Sequence, residues 1–143
     1  MSNNDTVRER CRELRSAHRD RSSRQHVYAS VLGTILHSPG LPETSLRITL
    51  SHTYADLPKR DRAEKVDAAL QAVRDHGDAI AVPNPDGHNR WWLTTREHLD
   101  RAEDQLVAAI EREVAADEPD GQRIGTFNAA LDMVRDAREG DDD

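Results

Sequence analysis

From residue 24 onward, apolar positions recur at helical spacing. Val27, Val31, Ile35 and Leu36 fall on one face of a helix, and Ser38-Pro39-Gly40 stops it. Leu41-Pro42 continues the break. Leu46, Ile48 and Leu50 alternate as in a strand, whereas Leu50, Tyr54 and Leu57 suit a helix. The pattern predicts a brief extended segment near Leu46 and then a short helix over residues 49–56. Pro58 breaks the chain and suits a first helical turn. The next helix has the clearest stripe, Val66, Ala69, Leu70 and Val73, and Gly77 marks its end.

Ala79-Ile80-Ala81-Val82 reads as a strand, residues 83–89 as a turn around Asp86-Gly87, and Arg90-Trp91-Trp92-Leu93 as the returning strand. Thr94 and Glu97 have the spacing of a capping box. A long helix follows, with Leu99, Ala102, Leu106, Ile110 and Val114 on its stripe. A final helix over residues 123–138 carries Phe127, Leu131 and Val134. The N-terminal stretch offers few apolar anchors. Residues 1–23 are therefore expected to form a basic, flexible arm or a frayed helix, and residues 139–143 an acidic disordered tail.

Composition narrows the class. The 143 residues suit one domain with appended elements, residues 24–94 and a helical extension over 95–138. Hydrophobic residues make up 36% and charged residues 33%, which predicts a modest core. No apolar run reaches membrane-spanning length, and MSNNDTVRER does not read as a secretory signal. A cytoplasmic protein without a membrane partner is expected. The single cysteine, Cys11, excludes an internal disulfide and a cysteine-based metal site.

The net charge of -7 weighs against nucleic acid, but the charge is unevenly spread. Residues 1–25 hold seven arginines against four acids, and the last eight residues hold five acids against one arginine.

Enzyme chemistry finds little support, and neither a cofactor nor a metal site is expected. The seven histidines form no His-Glu-x-x-His motif, since Arg101 and Ala102 follow Glu97-His98 without a second ligand. His52 and Asp56 are four apart but lack a third group. Gly33, Gly40, Gly77 and Gly87 are too scattered for a phosphate loop.

Between Val27 and Leu93 the chain resembles the winged helix-turn-helix family. The resemblance rests on Ser51-His52-Thr53-Tyr54-Ala55-Asp56-Leu57 as a second helix and residues 62–77 as a third. It rests also on Trp92-Leu93-Thr94-Thr95 as the close of a wing running into a helix. In place of a short Ser/Thr-rich turn stands Leu57-Pro58-Lys59-Arg60-Asp61.

The resemblance implies a mainly α fold with a small β-hairpin and additional C-terminal helices. It also implies a transcription-regulator-like protein that binds double-stranded DNA. The third helix would enter the major groove with Lys59, Arg60, Arg62 and Lys65. The wing would bring His88, Asn89 and Arg90 to the backbone or minor groove. The same charges, interleaved with Asp61 and Glu64, also fit a solvated helix start and an ordinary polar turn. Arg8, Arg10, Arg12, Arg15, Arg19, Arg21 and Arg24 read equally as a basic arm on phosphates and as solvated charge.

Adjacent strand residues point to opposite faces, so Trp91 shares Leu93's side and is the core candidate. Trp92 becomes an interface candidate, or packs on the long C-terminal helix. C-terminal helices in such families often dimerise, which makes Leu106, Ile110, Phe127 and Leu131 candidates for a homodimer interface. The competing reading is a protein-interaction module or inhibitor with a protein partner and no DNA contact.

Overall fold

The computed structural model describes residues 3–139, which hold six helices and a three-stranded sheet. The expected acidic tail therefore lies, apart from Glu139, outside the described residues.

Helix α2 (Arg24–His37) is the central element. Val27, Tyr28, Ala29, Ser30, Val31, Leu32 and Ile35 are all buried, more than one face of a helix can hold. The helix is therefore enclosed by α1 (Asn4–Ala17), α3 (Glu43–Thr53), α4 (Lys59–Asp75) and the sheet.

The N-terminal segment differs from the expected flexible arm. Val7 and Cys11 are buried one turn apart, and Leu14 packs beside them against α2. That stripe is narrow, but polar anchors hold the start and the middle of the helix. Arg10 donates to Asp78 at 3.0 Å and lies over the Tyr28 ring. The Asn4 N–H donates to Glu97 at 3.2 Å, and Thr95 Oγ1 donates to Asn4 Oδ1 at 2.7 Å.

The region after α2 also differs. Strand β1 is only Leu41–Pro42, and α3 begins at Glu43, where an extended stretch near Leu46 was expected. Leu46, Leu50 and Tyr54 are buried at a spacing of four, while Ile48 is 58% exposed. The period is helical, and Ile48 only imitates an alternation.

Strand β2 (Ala79–Val82) and strand β3 (Arg90–Leu93) form the expected hairpin, turning at Gly87 with φ of 87°. The sheet order is β1-β3-β2, antiparallel throughout, with Leu41 opposite Trp91 and Ile80 opposite Trp92. Gly40 makes the turn into β1 at φ of 76°, directly against the Trp92 ring.

The sheet separates two apolar cores. Ala79, Ala81, Trp91 and Leu93 face α2 and its neighbours. Val82 and Trp92 face the other way, onto α5 (Arg96–Val114) and α6 (Gly121–Glu139). These two helices run antiparallel, with Arg138 bonded to Glu103 at 2.6 Å at one end and Arg123 to Glu113 at 3.2 Å at the other. The cap of α5 is Thr95, which accepts from the His98 N–H at 3.3 Å, one residue beyond the Thr94 expected. Thr94 instead donates to the Gly77 carbonyl at 2.6 Å. Among the described residues, no helix is long and apolar enough to cross a membrane.

Candidate nucleic-acid interface

The first turns of α4 gather four of the expected contact residues. Pro58 stands at the cap position and no side chain caps the helix. Its first N–H groups are left to solvent, so the helix dipole adds positive potential there. Lys59 and Arg60 project outward. Lys59 makes no ion pair among the described residues, and Arg60, 91% exposed, meets only Glu64 at 3.6 Å.

Arg62 and Lys65 are committed elsewhere. Arg62 donates to the Ser51 carbonyl at 3.2 Å, tying α4 to the end of α3. Lys65 donates to the Ser22 carbonyl at 2.5 Å, tying α4 to the turn before α2. These bonds hold both stems against the fold while leaving their charge in place. Asp61, Glu64 and Asp67 share the exposed surface of α4, and Asp67 is paired with Arg47 of α3.

The hairpin tip is organised around Asp86. Its carboxylate accepts from the His88 N–H at 2.9 Å and pairs with Arg90. The Asn84 side chain, the His88 N–H and Arg90 hold the Asp86 carboxyl below the ordinary range. Of the three expected wing residues, only His88 is fully exposed. Asn89 is half-buried, its carbonyl accepting from the Glu43 N–H at 2.9 Å. No hydrogen bond or ion pair joins the tip to the start of α4 among the described residues.

Of the expected interface residues, Trp92 follows its other reading and packs on the long C-terminal helix, and Leu106, Phe127 and Leu131 are a correction. Trp92 is 3% exposed, and Leu106, Phe127 and Leu131 are buried beside it between the sheet and the C-terminal hairpin. Ile110 packs at the margin of the same cluster. The apolar excess on α5 and α6 covers the second face of a three-stranded sheet, which buries Trp92, Leu106, Phe127 and Leu131 and leaves Ile110 partly exposed. The exposed large apolar residues are instead Ile48, Val114 and Met133.

Two polar clusters escaped the sequence reading. Tyr54 Oη lies 2.7 Å from His26 Nδ1 and 2.6 Å from Ser30 Oγ, inside the core. Burial lowers the His26 pKa, with Arg15 and Arg21 adding to it, and burial raises that of Tyr54. At the junction of β3 and α5, His98 Nδ1 accepts from the Leu93 N–H at 3.0 Å, while Nε2 meets no close hydrogen-bond acceptor among the described residues. Burial, then Arg101, lowers the His98 pKa to about 4. The spacing of these residues in the chain carries no signal for either cluster, since each depends on contacts between elements. His52 is exposed, and its suggested partner Asp56 pairs with Arg21 at 3.3 Å. Among the described residues no three His, Cys, Asp or Glu side chains converge as a metal site.

In comparisons with known proteins, no family model, no curated protein and no solved structure matches this chain.

Proposed function

We propose that the chain is a winged helix-turn-helix protein that binds double-stranded DNA, with a C-terminal helical hairpin as structural support. The observation that carries this reading is the order α2-β1-α3-α4-β2-β3 together with the strand order β1-β3-β2. In that arrangement α4 is the third helix and β2-β3 the wing, and the third helix is the groove-reading element. Lys59 and Arg60, outward at an uncapped helix start, are the residues suited to reach phosphate or a base edge. His88 at the wing tip is a lateral contact.

The test is binding of a random duplex by fluorescence anisotropy with Lys59→Ala/Arg60→Ala. Removing both cations from the groove-facing helix weakens binding by about tenfold or more. Arg112→Ala, on α5, serves as the control and leaves binding unchanged. Equal affinity for the double variant and the parent overturns the role of α4.

A second reading is a protein-interaction module that does not touch DNA. Asp61, Glu64 and Asp67 on the outer surface of α4 favour it, because they repel phosphate and would attract a basic protein partner. Capture of a basic protein that is abolished in Glu64→Lys/Asp67→Lys, without any duplex binding by the parent, would select this reading.

A further inference from the structure

We propose that the arginine-lined cleft between α1 and α2 is a separate anion site that takes successive phosphates of a nucleic-acid strand. The proposal does not depend on α4 entering a groove.

The cleft has a volume of about 640 Å³ and is lined by Arg8, Arg12, Arg15 and Arg19 on one side and Gly33, Leu36 and His37 on the other. Helical spacing explains the gathering. Arg8, Arg12 and Arg15 lie within about 60° of one another around α1, next to the buried Cys11. Glu9 and Glu13 fall further round, away from the Val7, Cys11 and Leu14 stripe. Arg19 extends the row past the end of the helix. Gly33 has a direct part in it: a Cβ there would lie 3.0 Å from Arg15 Nη2, so its absence lets the guanidinium rest against α2.

Lys59, Arg74, Arg112 and other cations form no ion pair among the described residues, and the cleft is where three such arginines adjoin. The chain has 27 acidic residues against 20 lysines and arginines. Arg10, Arg21, Arg47, Arg123 and Arg138, which reach across to another element, each meet a carboxylate. Arg8 is held by Asp5 at 2.7 Å on the outer surface. Arg12, Arg15 and Arg19 form no ion pair among the described residues, and no acid lines the cleft. Three adjoining cations without a counter-charge repel one another, and a bound anion relieves that repulsion.

The form of the cleft selects the anion. Guanidinium groups present forked donors that match phosphate oxygens. Between Arg8 and Arg15 the row runs about 10 Å along the helix, which suits charges repeated at regular intervals on a strand. The cleft is open to solvent, as an extended ligand needs. It lies on the side of α1 away from α4, because Arg10 and Leu14 line the opposite side with Ala72 and His76. Nucleic acid bound there meets a different surface from the start of α4.

The experiment is a salt series of duplex and single-stranded DNA binding to the full chain, comparing the parent with Arg12→Ala/Arg15→Ala/Arg19→Ala. Circular dichroism checks the fold. Should that variant unfold, Arg12→Glu/Arg19→Glu replaces it, since it leaves Arg15 seated on Gly33. Removing three phosphate-binding cations lowers the slope of log K against log salt by about 2.7 on duplex. For the Glu variant the slope falls by about 1.8. The corresponding Arg→Lys triple keeps most of the slope. A slope unchanged in a folded cleft variant, with the effect confined to Lys59→Ala/Arg60→Ala, overturns the proposal and leaves the α4 reading standing. An effect confined to the cleft variant does the reverse. Binding of poly-glutamate as tight as that of DNA at equal charge also overturns it, because the site would then be a carboxylate-peptide site.

Discussion

Acid reaches the interior of this fold through His98, whose imidazole sits between the two cores. The residue is 2% exposed, with Trp92 edge-on at 6.3 Å. Its Nδ1 accepts the Leu93 N–H, so the neutral ring carries its proton on Nε2. Protonating Nδ1 sets a donor against a donor and places a charge in an apolar junction. Burial and Arg101 oppose the charge, while Glu97 and the Leu36 backbone offset part of the effect.

The folded pKa of about 4 lies below the ordinary value of 6.5. Between those values the unfolded chain binds the proton and the folded chain does not. The contribution is therefore complete above pH 6.5 and is lost as the pH falls toward 4. The difference amounts to about 3 kcal/mol at most.

The assay is urea unfolding followed by tryptophan fluorescence from pH 7 to pH 4, on the parent and on His98→Asn. Asparagine retains an acceptor for Leu93 but does not titrate. The variant is less stable at neutral pH, because a ring is lost from a packed site. Its stability falls less steeply with acid, and the parent loses about 3 kcal/mol more over the same range. Carboxylates common to both proteins cancel in the difference. Parallel curves for the two proteins would refute the reasoning.

Three other outcomes follow from the same packing. Gly40→Ala sets a methyl 2.6 Å from Trp92 at a positive φ, so thermal unfolding should show a loss of about 2 kcal/mol or more. Tyr54→Phe strips the shared partner from His26 and Ser30 and should cost about 1–3 kcal/mol by chemical denaturation, without changing the helical circular dichroism. Cys11 is 4% exposed and burial raises its thiol pKa, so alkylation in the native state should be slow. Its rate should rise toward that of a free thiol as urea opens α1. Rapid native labelling would show that α1 is not docked.

Much of the fold was legible because its stripes are local. Val66, Ala69, Leu70 and Val73 define α4 from spacing alone, and Asp86-Gly87 marks the hairpin. What misled were positions whose environment is set by distant partners. Strand β1 has two residues and exists because Trp91 and Arg90 lie opposite it. Helix α1 docks through bonds to Asp78 and Glu97, which lie 68 and 93 residues further along the chain. Nothing in the composition of residues 4–17 carries that information. Trp92 does lie on the side opposite Trp91, but local alternation does not reveal what covers that side.

The candidate site was partly legible. The run Lys59 to Lys65 was visible as charge, but the backbone bonds of Arg62 and Lys65 and the pairing of Arg90 with Asp86 appear only in three dimensions. The seven N-terminal arginines form no single group. Arg10 and Arg21 are drawn into ion pairs, and Arg12, Arg15 and Arg19 converge on one cleft.

The central claim is that this acidic chain nevertheless binds nucleic acid through localised cationic surfaces. The most direct measurement is the affinity of the purified parent protein for a random duplex as salt rises from about 50 to 200 mM. A duplex seated on Lys59 and Arg60 predicts a log–log slope near −1.8, and one seated on Arg12, Arg15 and Arg19 a slope near −2.7, from about −0.9 per phosphate. Absence of binding at the lowest salt, or an affinity that does not change with salt, would contradict it.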